Sequence, residues 1–333
     1  MSDNYTTVHQ TINGEQVCVL QPNGYGMGQN QVPLQPQGPS KGRKVGTVFL
    51  ALIPWVILQV VQTVVLLLVF MVKAGNIIAE AVDRGRLRNM DEIMEVLGDS
   101  MGPTMLIYGI ISAVGFGIFY MIKYVDFKEF GNKIYNVGWR FWLAAFIAVI
   151  GAQSFAQGLV YFVQKIPVIE DFLDQMYSNN PVYEAMNTDN MSVVMLLALV
   201  IFVPIAEELV FRGIAGGMLK KVGHSAKFIL VFTALFFAIA HGNVLQIIYV
   251  AVLGFSEGYM YVKKGTIVPT IAMHMLYNLL GSSEVIGKIV EQLPYPTYFF
   301  LMLIGLGAVA GAFFLARSEK KKEIPVDATN AVS

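Results

Sequence analysis

Charge is the first thing this sequence has little of. Asp, Glu, Lys and Arg make up 14% of its 333 residues, while hydrophobic side chains reach 55%; a soluble domain carries about 25% charged residues. Such a chain cannot clothe a globular surface in polar groups, which excludes an ordinary soluble domain and leaves a polytopic membrane protein. The 23 basic and 23 acidic residues cancel, so there is no basic field for nucleic acid and no nucleic-acid partner is expected. Cysteine is nearly absent: Cys18 stands alone, which excludes an internal disulfide and a cysteine-based metal site. The N-terminus has no basic stretch followed by an early apolar run, so no cleavable signal peptide is expected and the first apolar segment serves as the targeting signal. Paired interrupted helices in two halves, the mark of an inverted-repeat transporter, are also lacking.

What is there is a succession of apolar segments. Residues 1–44, rich in Gln, Asn, Gly and Pro, read as a disordered polar tail ending in Lys41, Arg43 and Lys44. Spanning helices are expected over 47–72, 104–122, 141–163, from 191 through the following polar cluster, and over 227–241, 244–262, 266–280 and 297–316. A polar connection over 74–103 contains a short amphipathic helix expected on the membrane surface. An acidic loop follows over 164–190, and 318–333 form a polar tail. The fold class is therefore all-α: a membrane helix bundle of about eight transmembrane helices over 45–317. Of the 23 lysines and arginines, 17 then fall on the side of both termini, which makes that side cytoplasmic and the plasma membrane the expected location.

Polar residues at membrane depth are costly and mark function. Residues 204–217, PIAEELVFRGIAGG, carry Glu207, Glu208 and Arg212. Glu208 and Arg212, four apart, share a helical face and are placed to pair, whereas Glu207 points about a quarter-turn away. Pro204 removes a backbone hydrogen bond just before them. His241 ends the run FFAIAHGN, and His274 and Asn278, also four apart, share a face in AMHMLYN. At about 1.5 Å per residue, Glu207 lies about 20 Å from Lys220, His241 about 21 Å from Lys227 and His274 about 15 Å from Lys264. Three segments thus bring polar groups to a similar depth. A carboxylate to take a proton from water, a histidine to orient it, and a His and Asn to donate to an oxyanion are the parts of a hydrolase for carbonyl substrates. Zinc on two histidines and a glutamate is the other way to activate the water. Ser256 reads as a packed hydroxyl, Glu257 as a carboxylate reaching the cytoplasmic surface near Lys263 and Lys264, and His224 as a solvated loop residue.

EELVFR (Glu207 to Arg212), FAIAH (Phe237 to His241) and HMLYN (His274 to Asn278) resemble, in order and spacing, the EExxxR, FxxxH and HxxxN motifs of the CPBP intramembrane proteases, which include type II CAAX prenyl endopeptidases and bacterial Abi proteins. The likeness covers 191–281. It implies an eight-helix bundle with a membrane-embedded peptidase site acting on a membrane-associated or prenylated-like peptide or protein. Glu207 would activate water with help from His241, His274 and Asn278 would form the oxyanion site, and Glu208 with Arg212 would support them. It also admits a non-proteolytic bacteriocin-immunity or scaffold protein of the same fold.

Overall fold

The computed structural model describes residues 5–12, 15–22, 39–85, 90–135, 137–167, 169 and 191–318. The described chain is a bundle of helices, as the apolar segments require, preceded by one hairpin. Within the expected disordered tail, β1 (Tyr5–Ile12) pairs antiparallel with β2 (Glu15–Pro22), Val8 opposite Val19. The polar composition of the tail obscured two short runs rich in Thr and Val, with Asn13-Gly14 between them in the sequence, a pair favoured by two-residue hairpin loops. The remainder of that tail over 23–38, most of the acidic loop over 164–190, and the tail beyond Ser318 lie outside the described residues.

The helices follow in chain order: α1 (Lys41–Leu50), α2 (Ile53–Arg84), α3 (Met90–Tyr124), α4 (Phe127–Tyr135) and α5 (Trp139–Gln164). Next come α6 (Val193–Lys221), α7 (Ala226–Ile239), α8 (Val244–Lys264), α9 (Val268–Gly281), α10 (Glu284–Glu291) and α11 (Tyr295–Ser318). Six of the described helical stretches are long and apolar enough to cross a membrane, counting α1 and α2 as one. The expected spans five and seven are α7 and α9, each only 14 residues. The expected 74–103 connection is mostly helix instead: α2 runs on to Arg84, and the surface helix is the first stretch of α3.

Burial is inverted relative to a soluble protein. Leu67, Ile118 and Phe314 are exposed, whereas Glu208, Arg212 and Glu257 have no accessible surface at all. Apolar side chains facing outward suit a hydrocarbon surround, and charges held inside are spared it. The protein is an integral membrane helical bundle.

The basic helix ends meet at one end of this bundle. Lys44 Nζ donates to the Gly223 carbonyl at 3.2 Å, and Lys221 Nζ to the Lys123 carbonyl at 2.6 Å. His224, expected to be solvated, packs here instead: its Nε2 lies 3.2 Å from the Lys44 carbonyl and its ring stacks on Phe228. Helices α5 and α11 approach closely at Gly151 and Gly305, where a Cβ on either would lie within about 2.6 Å of the other's carbonyl oxygen. Small residues at such crossings let backbones touch.

A candidate active site behind a cavity

Helix α6 carries the glutamates and is not regular. Pro204 has no N–H to give, and the turn before it widens: over Ala198–Phe202 the bonds run five residues back, Val203 N–H reaching the Ala198 carbonyl. A second widened stretch, Leu209–Gly216, begins directly after Glu208. Such π-helical turns recur at functional sites because they re-aim side chains and loosen carbonyls. The second consequence appears here. The Leu199 carbonyl accepts a hydrogen bond from Asn278 Nδ2 at 2.8 Å, tying α9 to the first widened turn.

Glu208 and Arg212 pair as expected, Arg212 Nη1 to Glu208 Oε1 at 2.5 Å. The guanidinium has a second carboxylate that the sequence reading missed. Glu257 Oε2 lies 2.9 Å from Arg212 Nη2, and the Gly254 carbonyl accepts from the same nitrogen at 3.3 Å. Glu257 is thus no surface residue: it sits in the core, about 9 Å along α8 from Lys263, too far to be drawn out by it. Phe237, the first residue of the FAIAH motif, completes the setting. Its ring lies 4.3 Å beneath the Arg212 guanidinium and meets His241 and His274 edge-on at 4.9 and 5.3 Å. A buried guanidinium over an aromatic face is favourable by about 2 kcal/mol when desolvated.

His274 bridges the two adjacent glutamates. Its Nδ1 donates to Glu208 Oε1 at 3.2 Å, and its Nε2 faces Glu207 Oε2 at 3.5 Å. Glu207 differs from Glu208 in reaching open space. Its side chain keeps 19% of its surface and lines a cavity of about 550 Å³ together with His241 and Asn278. His274, Glu208 and Arg212 are not part of that wall. His241 Nδ1 lies 2.8 Å from the Phe237 carbonyl oxygen; a carbonyl only accepts, so Nδ1 holds the hydrogen and Nε2 of the neutral ring is left to accept from water. Ser256 bonds to the Val252 carbonyl of its own helix at 2.8 Å and is buried, as a packed hydroxyl should be.

The residues were also tested as a metal centre. Glu208, Glu257 and His274 bring ligand atoms within 4.8 Å of one another. Arg212 already stands among them with one nitrogen on each carboxylate, and a divalent cation beside a guanidinium would set like charges together in a poorly screened interior. The set Glu207, His241 and His274 does not converge to that spacing among the described residues. These side chains do not fit a resident metal.

A carboxylate and a histidine line a cavity inside a membrane bundle and are backed by a buried ion network. Residues 189–280 match the family model described as type II CAAX prenyl endopeptidase, Rce1-like, which supports a CAAX protease family for this segment. The match supports intramembrane CAAX-type protease activity in general, which implies a lipid bilayer and a protein substrate. No curated protein and no solved structure matches it.

Proposed function

We propose that the protein is an intramembrane endopeptidase in which Glu207 is the general base. The observation that carries this reading is the division of labour within the adjacent pair: Glu208 is locked on Arg212 and His274, while Glu207 alone of the two faces the cavity. Water between Glu207 and His241 Nε2 gives its proton to the Glu207 carboxylate as its oxygen attacks the scissile carbonyl carbon. Asn278 spends one amide hydrogen on Leu199 and has a second for the developing oxyanion. His274 stands behind Glu207 and fixes its orientation, a position from which it supports the oxyanion site indirectly. The protonated Glu207 then gives its proton to the leaving nitrogen, the peptide parts as a carboxylic acid and an amine, and the acid's proton passes to the amine. Glu208, Arg212 and Glu257 hold the arrangement rigid without touching the substrate. The plasma membrane is the proposed location.

General acid–base catalysis by a placed side chain contributes about 10²- to 10⁴-fold. Glu207→Gln keeps the shape and removes the base, so cleavage of a substrate peptide by the reconstituted protein is expected to fall by about that factor. Full cleavage by this variant refutes the assignment. Partner binding without cleavage by the unaltered protein would favour a scaffold or immunity role.

A further inference from the structure

The cavity at Glu207 is not central in the bundle, and its position gives it a side. Depth can be measured along each helix from the end where the basic loops meet, at about 1.5 Å per residue. Its inner limit, at Phe211 and Leu253, lies about 14 to 16 Å from that end, and Glu207, His241 and Asn278 at about 20 Å. Its outer edge, at Gln62, Gln246 and Ser282, lies at about 27 Å, near the far boundary of a hydrocarbon core about 30 Å thick. On α2 and α7 the scale agrees: Trp55, 11 residues from Lys44, meets Phe236, 10 residues from Ala226, at 5.8 Å between rings. Towards the basic end Arg212, Ala215 and Leu219 are fully buried, and a second cavity of about 470 Å³ there, walled by Leu50, Tyr124, Ile214 and Met218 among others, shares no described lining residue with the first.

We propose that the cavity opens on the face opposite the basic loops, which the positive-inside rule makes extracytoplasmic, and that it takes a locally unfolded segment of an exported or membrane-anchored polypeptide from that face. The substrate class rests on the protease reading; the sidedness does not. Two features of the lining specify the occupant. Gln59, Gln62 and Gln246 line the outer part, and their side-chain amides make no hydrogen bond within the described chain. A helix satisfies its own backbone, whereas an extended segment at this depth needs partners for its N–H and C=O groups, and amides are both donor and acceptor. Among the described residues Glu207 is also the one charged residue on the wall, so the segment it receives is neutral around the scissile bond.

The test uses the full chain in a Cys18→Ser background, with Gln62→Cys, Gln246→Cys or Ser282→Cys at the mouth and Ser225→Cys at the basic end. Intact cells and permeabilised cells are treated with a sulfonated, membrane-impermeant maleimide. The mouth positions are expected to react in intact cells and Ser225→Cys only after permeabilisation. Mouth positions that react only after permeabilisation, or under neither condition, overturn the proposal. In parallel, new protein N-termini are compared between cells with the unaltered chain and with Glu207→Gln. Glu207-dependent termini in extracytoplasmic or outward-facing segments support the substrate class, and termini confined to cytoplasmic segments overturn it. No Glu207-dependent termini at all, with outward labelling intact, overturns the protease reading and the substrate class with it, and leaves the sidedness standing.

Discussion

Replacing Arg212 with methionine should be the most damaging single change in the polar core. Its guanidinium serves two carboxylates, Glu208 at 2.5 Å and Glu257 at 2.9 Å, and all three side chains have no accessible surface. Removing one partner of a buried pair costs about 3–5 kcal/mol, because the charge left behind is neither paired nor hydrated. Here two are left behind, with ligand oxygens within 4.8 Å of each other, so Arg212→Met belongs at the upper end of that range. At about 2–4 °C per kcal/mol for a large domain, the midpoint of thermal unfolding in detergent should fall by roughly 10 to 20 °C. Glu257→Gln should be milder, about 1–3 kcal/mol, since its amide oxygen can still accept from Arg212 Nη2. The triple variant Glu208→Gln, Arg212→Met, Glu257→Gln removes every charge at once and should be more stable than Arg212→Met alone. Fluorescence-detected size exclusion after heating reads all three. A midpoint unchanged by Arg212→Met, or a triple variant weaker than the single one, would show that these charges do not compensate one another as their distances imply.

Other consequences are simpler to read. Gly305→Ala puts a methyl group 2.5 Å from the Gly151 carbonyl oxygen and 2.7 Å from Phe155 N; backbone cannot yield as a side chain does, so about 1–3 kcal/mol of stability should be lost, seen as a lower unfolding midpoint. Ser256→Ala removes only a bond to its own helix, and should leave cleavage unchanged in the reconstituted assay; loss of cleavage would make Ser256 a nucleophile. Because Arg212 fills the one converging ligand cluster among the described residues, a chelator should leave cleavage intact, and loss restored by added zinc would contradict that reading.

How much of this was legible in the sequence depends on the residue. Glu208, Arg212, His274 and Asn278 could be placed because helical spacing makes four-apart residues neighbours, and the structure brings the first three into direct contact. The helix ends were harder. The lysine and arginines around 73–88 signal a loop by composition, yet α2 continues through Lys73 to Arg84, since a helix that leaves the membrane satisfies its own backbone in water equally well. Glu257 was misjudged because its own segment offered lysines and the sequence cannot show a partner 45 residues away. A usable signal was present nonetheless. Gly254 and Gly258 stand three positions before it and one after, and both press against backbone oxygens of α7, those of Ala234 and Leu230. Residues 254, 257 and 258 share one helical face, so a carboxylate between glycines that face a neighbouring helix points inward with them.

Irregular turns of α6 bracket the two adjacent glutamates, whose fates differ. Neighbours on a helix differ by about 100°, so a group that grips one need not reach the other. The widened turn over Ala198–Phe202 precedes the pair and the one over Leu209–Gly216 follows it, with Arg212 inside the second. Glu208 faces the bundle interior, where Arg212 and His274 meet it, and Glu207 faces the cavity. The first turn is also held from outside, by Asn278 on the Leu199 carbonyl. Asn278→Ala should then act twice. It removes a donor from the cavity wall, a loss of about 10²- to 10³-fold in kcat where such a group stabilises an oxyanion, and it frees a turn whose shape aims Glu207. Asn278→Asp separates donation from bulk: its carboxylate cannot donate to Leu199 or to an oxyanion, so it should match the alanine variant in kcat despite filling the same space. An aspartate variant with full activity would mean that Asn278 neither donates to the oxyanion nor shapes the turn, and the geometry would have to act through Glu207 and His241 alone.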